Sequence, residues 1–309
     1  MHMDVNSKVS VIGSSGLIGS SLCRALKEKN YAVKGFARTI EKLSADEVDE
    51  KEQYIFGDQK LHEKLNGSMA IFNFSGAPAF KKWKGDYRNE IVSSRVDVTK
   101  HICEEIAKMD PLPDVFVNGT ASGIYGYDSW NDSEVTEEYP AGTDFWGRLV
   151  TSWEQATKDL EEKGVRVVNI RTSVVLSDKG GALPELVKVF RKGLGGPISP
   201  GNQWFPWIHI QDEVALAIFC VENRGVEGPV NASSPNVPTM REFATTLGKV
   251  LQKSSRLKIP VFMLRLAIGE SANALANGRK VIPKKALECG YKFQFTYLEE
   301  ALKNLLSGN

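Results

Sequence analysis

Residues 8–22 read KVSVIGSSGLIGSSL, with Gly13, Gly16 and Gly19 three apart between two apolar runs. The β-branched run that ends at Gly13 predicts a strand, and SGLIGSSLCRALKEKN (15–30) carries apolar residues at helical spacing. At such a junction Gly13 makes the tight turn, Gly16 lets backbone approach a ligand and Gly19 lets the helix pack on the sheet. The backbone N–H groups of the helix start, over Ser14, Ser15, Leu17 and Ile18, suit phosphate charge. Between a strand and a helix, the stretch predicts the pyrophosphate grip of a dinucleotide site; the alternative is a plain tight turn.

A second strand, YAVKGFAR (31–38), ends at Arg38, and GFARTI holds no acid. NAD sites place Asp or Glu there for the ribose hydroxyls. Arg38 instead suits a forked contact to a 2′-phosphate, which predicts NADP; the alternative is a solvated arginine. MAIFNFSGA (69–77) ends in Phe74, Ser75, Gly76 and Ala77, small enough apart from Phe74 for backbone to approach the middle of a cofactor. Val175 closes VRVVNIRTSVVL (165–176) and suits apolar packing at the nicotinamide end.

These residues need a scaffold of alternating strands and helices. Further strands are expected at QYIFGD (53–58) and PDVFVNGTAS (113–122), and long helices at 88–109 and 144–164. Such alternation implies crossover connections and a doubly wound parallel sheet of α/β class. Beyond Leu176 come a helix at 180–196, an aromatic strand WFPWIHI (204–210), a helix at 212–223 that Asp212 would cap, a return to the sheet at 228–233 and mostly helical chain from Thr239. The expected division is a dinucleotide-binding domain at 1–176, completed by parts of about 204–233, and a smaller, interleaved substrate lobe at 177–309.

The 309 residues carry a net charge of +1, giving no reason to expect nucleic acid. No apolar run predicts a membrane span and MHMDVNSK does not read as a signal peptide, so a cytoplasmic protein is expected. Cys23, Cys103, Cys220 and Cys289 are scattered, as are the histidines; buried thiols and no metal site follow.

NFSGAP (73–78), KKWKGDYRNEIVSSRVDVT (81–99), IRTSVVLSDKGGALP (170–184), FRKGLGGPISPGNQWFPWIHIQD (190–212), GPVNASSPNVPTMREFA (228–244) and KVIPKKALECGYKF (280–293) follow the glycine stretch in order. With it they resemble the short-chain dehydrogenase/reductase superfamily in its extended, sugar-epimerase-like branch. Within that branch they look like the atypical NAD-dependent epimerase-like proteins sometimes called cell-division-inhibitor homologues. The resemblance covers nearly the whole chain and implies a Rossmann-type sheet with a mostly helical C-terminal substrate lobe. It further implies that Asp58 accepts from the adenine amino group, where capping the next helix is the alternative. It places Glu90 and Arg95 on one helix facing the cofactor, where a solvated helix face is the alternative. Related proteins often pair through the helices after the fourth and fifth strands, which would make a homodimer.

Extended members of that superfamily use Ser or Thr and Tyr-x-x-x-Lys, the tyrosine moving a proton while hydride moves on the cofactor. Aligning Tyr125-Gly126 with the usual ending puts Ala121 at the hydroxyl position, flanked by Thr120 and Ser122. On the helix DFWGRLVTSWE the tyrosine position falls at Phe145 or Trp146 and the lysine position at Leu149 or Val150. Neither Phe nor Trp exchanges a proton at neutral pH. Tyr125, Tyr127, Arg148, His209, Asp212, Asp128 and Asp132 are candidate substitutes, and none of them is assigned a catalytic role. Trp83, Trp146, Trp204, Phe205 and Trp207 are read either as pocket wall or as core. Two functions follow: an NADP-dependent oxidoreductase or epimerase-like enzyme on a carbonyl or hydroxyl substrate with a non-standard proton relay, or a non-catalytic NADP(H)-binding redox sensor.

Overall fold

Period-two burial builds the sheet. In the computed structural model, which describes residues 7–79, 81–127, 132–269 and 272–307, Val9 and Val11 of β1 (Lys8–Ile12) pack into one core while Ile12 packs into another. The glycine turn leads into α1 (Leu17–Glu28), then β2 (Ala32–Ala37), β3 (Glu50–Gln53), α2 (Leu61–Leu65), β4 (Ala70–Asn73), α3 (Tyr87–Ser93), α4 (Val96–Ile106) and β5 (Val115–Ala121). Next come β6 (Glu134–Val135), α5 (Phe145–Gln155), α6 (Lys158–Glu162), β7 (Arg166–Thr172), β8 (Val174–Leu176), α7 (Ala182–Arg191), β9 (Trp207–His209), α8 (Ile210–Glu222) and β10 (Gly228–Ala232). The C-terminal part holds α9 (Met240–Leu251), α10 (Val261–Ile268), α11 (Ala272–Ala276), β11 (Lys280–Val281), α12 (Lys284–Glu288) and α13 (Leu298–Leu306).

The main sheet has seven parallel strands in the order β10-β7-β5-β4-β1-β2-β3, and it is a Rossmann-type doubly wound sheet. Two short parallel pairs, β11-β6 and β8-β9, stand outside it. Leu22, Cys23 and Leu26 of α1 are buried at helical spacing in the same core as Val9 and Val11. Burying each leucine stabilises the fold by roughly 1.5–3 kcal/mol. Ile102 and Ile106 of α4 and Leu160 of α6 pack on the opposite face with Ile71, Phe116 and Val167. No helix among the described residues is long and apolar enough to cross a membrane.

Four expected elements differ. The third strand lies at Glu50–Gln53, not 53–58. It is a charged edge strand, with Lys34 of β2 pairing with Glu50 at 3.1 Å and Glu52 at 3.2 Å, whereas Ile55 and Phe56 are exposed. The helix expected at 88–109 breaks at Ser94-Arg95, where the Arg95 side chain takes the Ile91 carbonyl at 3.2 Å. The helix expected at 144–164 divides into α5 and α6. The strand expected at 165–176 changes partner: Ser173 N–H bonds Ala232 in β10, but Val174 N–H turns to Pro206 and β8 pairs with β9.

Three buried asparagines cross the sheet in register, Asn73 in β4 against Asn118 in β5 against Asn169 in β7. Asn73 Nδ2 donates to Asn118 Oδ1 at 3.0 Å, and Asn118 Nδ2 donates to Asn169 Oδ1 at 3.0 Å. Substituting Asn118→Ala leaves Asn169 Oδ1 and an Asn73 N–H unpaired inside the protein, which costs about 2–4 kcal/mol. The urea unfolding midpoint should fall accordingly; an unchanged midpoint would show that the ladder carries no stability.

Candidate functional site

The site begins where β1 leaves the sheet. Gly13 has φ +87°, and a Cβ there would lie 2.7 Å from the Phe74 carbonyl carbon. A Cβ on Gly19 would lie 2.2 Å from the Gly13 oxygen, so the start of α1 bears directly on the turn. The N–H groups of Gly13 and Ser14 donate to the Phe36 carbonyl at 3.0 and 3.2 Å, and the Ser14 hydroxyl donates to it at 2.9 Å. This clamps the turn against the end of β2. Gly16 is the extended N-cap of α1, and Ser20 N–H bonds its carbonyl at 2.9 Å. The N–H groups of Leu17, Ile18 and Gly19 have no backbone partner among the described residues, and the first turn holds no acid. Ser15 and Gly16 are exposed, so this cradle opens outward.

Arg38 stands one residue past β2, exposed and in no ion pair among the described residues. Asp58 lies five residues past β3. It accepts from Lys64 Nζ at 2.8 Å and Lys60 N–H at 3.0 Å, and both contacts lower its pKa, while α2 has Lys60 at its N-cap and no side-chain cap. At the end of β4, Phe74 lays its ring on Gly119, where a Cβ would lie 2.4 Å from a ring carbon. Ser75 donates both its N–H (3.2 Å) and its hydroxyl (2.6 Å) to Asn73 Oδ1. A Cβ on Gly76 would touch the Arg95 guanidinium at 3.4 Å. Ala77 accepts from Arg95 at 2.9 Å and donates to the Ser94 hydroxyl at 3.1 Å.

Arg95 therefore ties the β4 loop to the α3–α4 break. Its guanidinium lies 5.3 Å from the Trp153 ring, and burial lowers its pKa to about 10. Glu90 is exposed on α3, a different helix from the one Arg95 caps. Val175 sits in β8, outside the main sheet. Its carbonyl and the Leu17 side chain flank Gly181, where a Cβ would lie 3.5 and 3.3 Å from them. The chain after β7 thus arches back to the glycine turn.

No proton-exchanging side chain occupies the tyrosine and lysine positions of α5. Asp144 caps this helix, accepting from Gly147 N–H at 2.8 Å and Tyr127 N–H at 2.7 Å. Phe145 and Trp146 pack edge-on with each other and with Trp83, ring centroids 5.2–5.7 Å apart. Leu149 and Val150 are buried. Ala121 ends β5, the Thr120 hydroxyl turns away to Glu154 and the Ile170 carbonyl, and Ser122 is buried in a 3₁₀ turn. The Tyr127 hydroxyl lies near Gly123, whose Cβ would be 3.5 Å from it and 3.6 Å from the Trp146 Cβ. It also lies within hydrogen-bonding reach of Ser122, and burial with Asp144 nearby pushes the phenol up to about 12.

Other candidates fall elsewhere. Tyr125 is buried, donating to Asn231 Oδ1 at 2.6 Å and accepting from Arg171 at 3.0 Å. Arg171 forms a two-pronged pair with Glu154, both contacts 2.8 Å. His209, not Asp212, caps α8; it is buried and stacked on Phe295 at 3.8 Å, and burial pushes its pKa down to about 4. The Asp212 carboxylate instead accepts from Gln294 and Phe295 N–H, each at 2.8 Å, and so holds the segment before α13. Phe205 and Trp207 are core residues rather than pocket wall, and half-buried Trp204 stacks under Lys280 at 5.0 Å. Arg148 donates to the Thr143 carbonyl; Asp132 is exposed, and Asp128 lies outside the described residues.

Sequence reasoning passed over Glu213. It is fully buried on α8, accepts from the Thr172 hydroxyl at 2.7 Å through Oε1, and its Oε2 has no partner among the described residues. Its only signal was an acid beside Asp212 in a helix that is otherwise largely apolar.

A sequence model described as the NAD dependent epimerase/dehydratase family matches residues 9–232, and a domain of unknown function, DUF1731, matches residues 259–305. The Arabidopsis thaliana chloroplastic homologue of epimerase family protein SDR39U1 is 33% identical over 304 residues, covering 96% of this chain and 86% of that protein. Epimerase family protein YfhF of Bacillus subtilis is 29% identical, covering 97% of this chain and 98% of its own. The crystal structure of human epimerase family protein SDR39U1 with NADPH superposes with a TM-score of 0.87 at 30% identity, covering 98% of this chain and 100% of that one.

Burial pushes the Glu213 carboxyl up from 4.5 to about 8. The folded state then binds the extra proton, so this contribution to stability is present below about pH 4.5 and lost as pH rises to about 8. Glu213→Gln keeps an acceptor for Thr172 and cannot ionise. Between about pH 5 and about pH 8.5 the wild-type urea midpoint should drop relative to that variant's. Parallel pH profiles would show that Glu213 titrates as an ordinary carboxyl.

Proposed function

The chain belongs to the NAD dependent epimerase/dehydratase family, and from that premise we propose that it binds NADP(H) and acts as an oxidoreductase on a carbonyl or hydroxyl substrate without Tyr-x-x-x-Lys. The observation that carries the cofactor choice is Arg38, uncommitted at the end of β2 beside a turn in which Gly13 and Gly19 leave no room for a Cβ. The residues fit the group. Ser14 to Gly19 would hold the pyrophosphate, Arg38 the 2′-phosphate, and Phe74 to Ala77 with Val175 would line the passage to the nicotinamide end. Arg95 would support that passage through the Ala77 carbonyl, whereas Glu90 is exposed on α3. Asp58, half-buried and accepting from Lys60 and Lys64, keeps a further lone pair on each oxygen with which it would accept from the adenine amino group. The human relative crystallised with NADPH supports the same choice.

When bound, NADP(H) supplies or accepts a hydride. The chain's part is to hold the reacting carbon at the aromatic wall of Trp83, Phe145 and Trp146 and to exchange a proton with its oxygen. Tyr127, a phenol against Gly123 and Trp146, is what supports an enzymatic reading although α5 offers no acid. A non-catalytic NADP(H) sensor is the second reading, favoured by the apolar Leu149 and Val150 where a lysine would hold the ribose. It predicts binding without turnover.

Fluorescence titration with NADPH and NADH tests the shared part. Tighter binding of NADPH is expected, with Arg38→Ala weakening it by about ten-fold or more and leaving NADH binding little changed. Equal affinity for the two cofactors would remove Arg38 from the site, and no binding of either would end both readings.

A further inference from the structure

α10 is apolar on both sides. Val261 and Leu264 pack on the main core, while Phe262, Met263 and Leu266 are 64%, 53% and 70% exposed on the opposite side. Leu257 and Leu194, exposed at 52% and 54%, extend the patch. The two segments that carry it are joined: Ile259 N–H bonds the Pro197 carbonyl and Ser199 N–H bonds the Ile259 carbonyl, both at 2.9 Å. Exposed apolar side chains gathered this way mark an interaction surface.

The two segments that carry the patch are themselves basic. Residues 186–201 and 251–269 contain Lys188, Arg191, Lys192, Lys253, Arg256, Lys258 and Arg265 and no Asp or Glu, in a chain whose net charge is +1. Lys188 pairs with Glu185; Arg191, Lys192, Lys253, Arg256 and Lys258 pair with no carboxylate among the described residues, and all are exposed. Beside them a concavity of about 610 Å³ over α7, α9 and α13 is lined by Arg191 and Lys253, and by Lys303, which pairs with Glu299 at 2.7 Å. A second copy docking face to face would bring like charges together. A basic rim around an exposed apolar helix complements an anionic lipid surface, with the helix lying in the interface plane and not crossing it.

We propose that this chain docks reversibly on anionic membrane surfaces, inserting Phe262, Met263 and Leu266 of α10 among the lipids while the surrounding lysines and arginines engage headgroup phosphates. α10 runs on to Gly269, where a Cβ would lie 3.9 Å from the Trp83 backbone nitrogen. The C-terminal end of α10 therefore adjoins the segment that carries Trp83.

The full-length chain is sedimented with vesicles of phosphatidylcholine alone and of equal parts phosphatidylcholine and phosphatidylglycerol. Binding to the anionic vesicles, weakened by added salt, is expected. Phe262→Glu with Leu266→Glu should abolish it. Arg256→Glu with Lys258→Glu should weaken it by about ten-fold or more, since each cation near such a surface contributes about five-fold. Both variants change exposed side chains only, and an unaltered thermal midpoint checks that they fold. Absence of binding, equal binding to neutral vesicles, or binding untouched by both variants overturns the proposal. So does a dimer in solution that the first variant dissociates while vesicles remain unbound.

Discussion

The residues at the end of β4 depend on the asparagine ladder across β4, β5 and β7. A parallel sheet buried on both faces has no tight hairpins to set its register, and apolar side chains alone tolerate slippage. Three amides in one row do not. Each is buried, and each would lose its partner if a neighbouring strand moved by a residue. The ladder also reaches outward. Asn73 Nδ2 donates to the Thr99 hydroxyl of α4 at 3.1 Å, and Trp153 of α5 donates to the same hydroxyl at 2.8 Å. Asn73 Oδ1 holds both donors of Ser75. One row of amides thus fixes the three strands, the two helices behind them and Ser75 of the β4 loop.

A second polar network explains how α5 keeps its place without a catalytic pair. Glu154 near its end grips Arg171 of β7, Arg171 reaches Tyr125 and the Glu137 carbonyl, and Tyr125 bonds Asn231 of β10. Asn231 in turn donates to the Ile282 carbonyl. A buried ion pair contributes little net stability, but breaking one partner is costly, so every member is held. The helix is anchored through Glu154, and the half-buried start of α5 is free to carry Phe145 and Trp146.

The glycine turn was legible because its constraint is local: a Cβ either fits between β1, β4 and α1 or it does not. Arg38 was legible for the same reason, since its place follows from where β2 ends. What tertiary contacts decide was not legible. YIF at 54–56 has the composition of a strand, yet pairing with Lys34 selects the charged residues just before it. Ser94-Arg95 lies in an unbroken helical pattern, and only the β4 loop above it draws the Arg95 side chain across the helix axis. WFPWIHI has the aromatic content of the wall, but Phe205 packs against Phe243 in the core. The ladder did leave a sequence signal: Asn73, Asn118 and Asn169 each interrupt an otherwise apolar strand.

The side chains at the nicotinamide end set what chemistry the oxidoreductase reading allows. In the usual arrangement a lysine lowers the pKa of the tyrosine so that the phenol both gives and takes a proton near neutral pH. Here Leu149 and Val150 remove that cation, Arg95 is committed to the Ala77 and Ile91 carbonyls, and Arg148 to Thr143. Burial, with the Asp144 carboxylate as the second cause, holds the Tyr127 phenol in its neutral form. A phenol at about 12 donates a proton but does not accept one at neutral pH. On the oxidoreductase reading, Tyr127 would therefore be the proton donor to a carbonyl oxygen held at the half-buried rings of Trp83, Phe145 and Trp146.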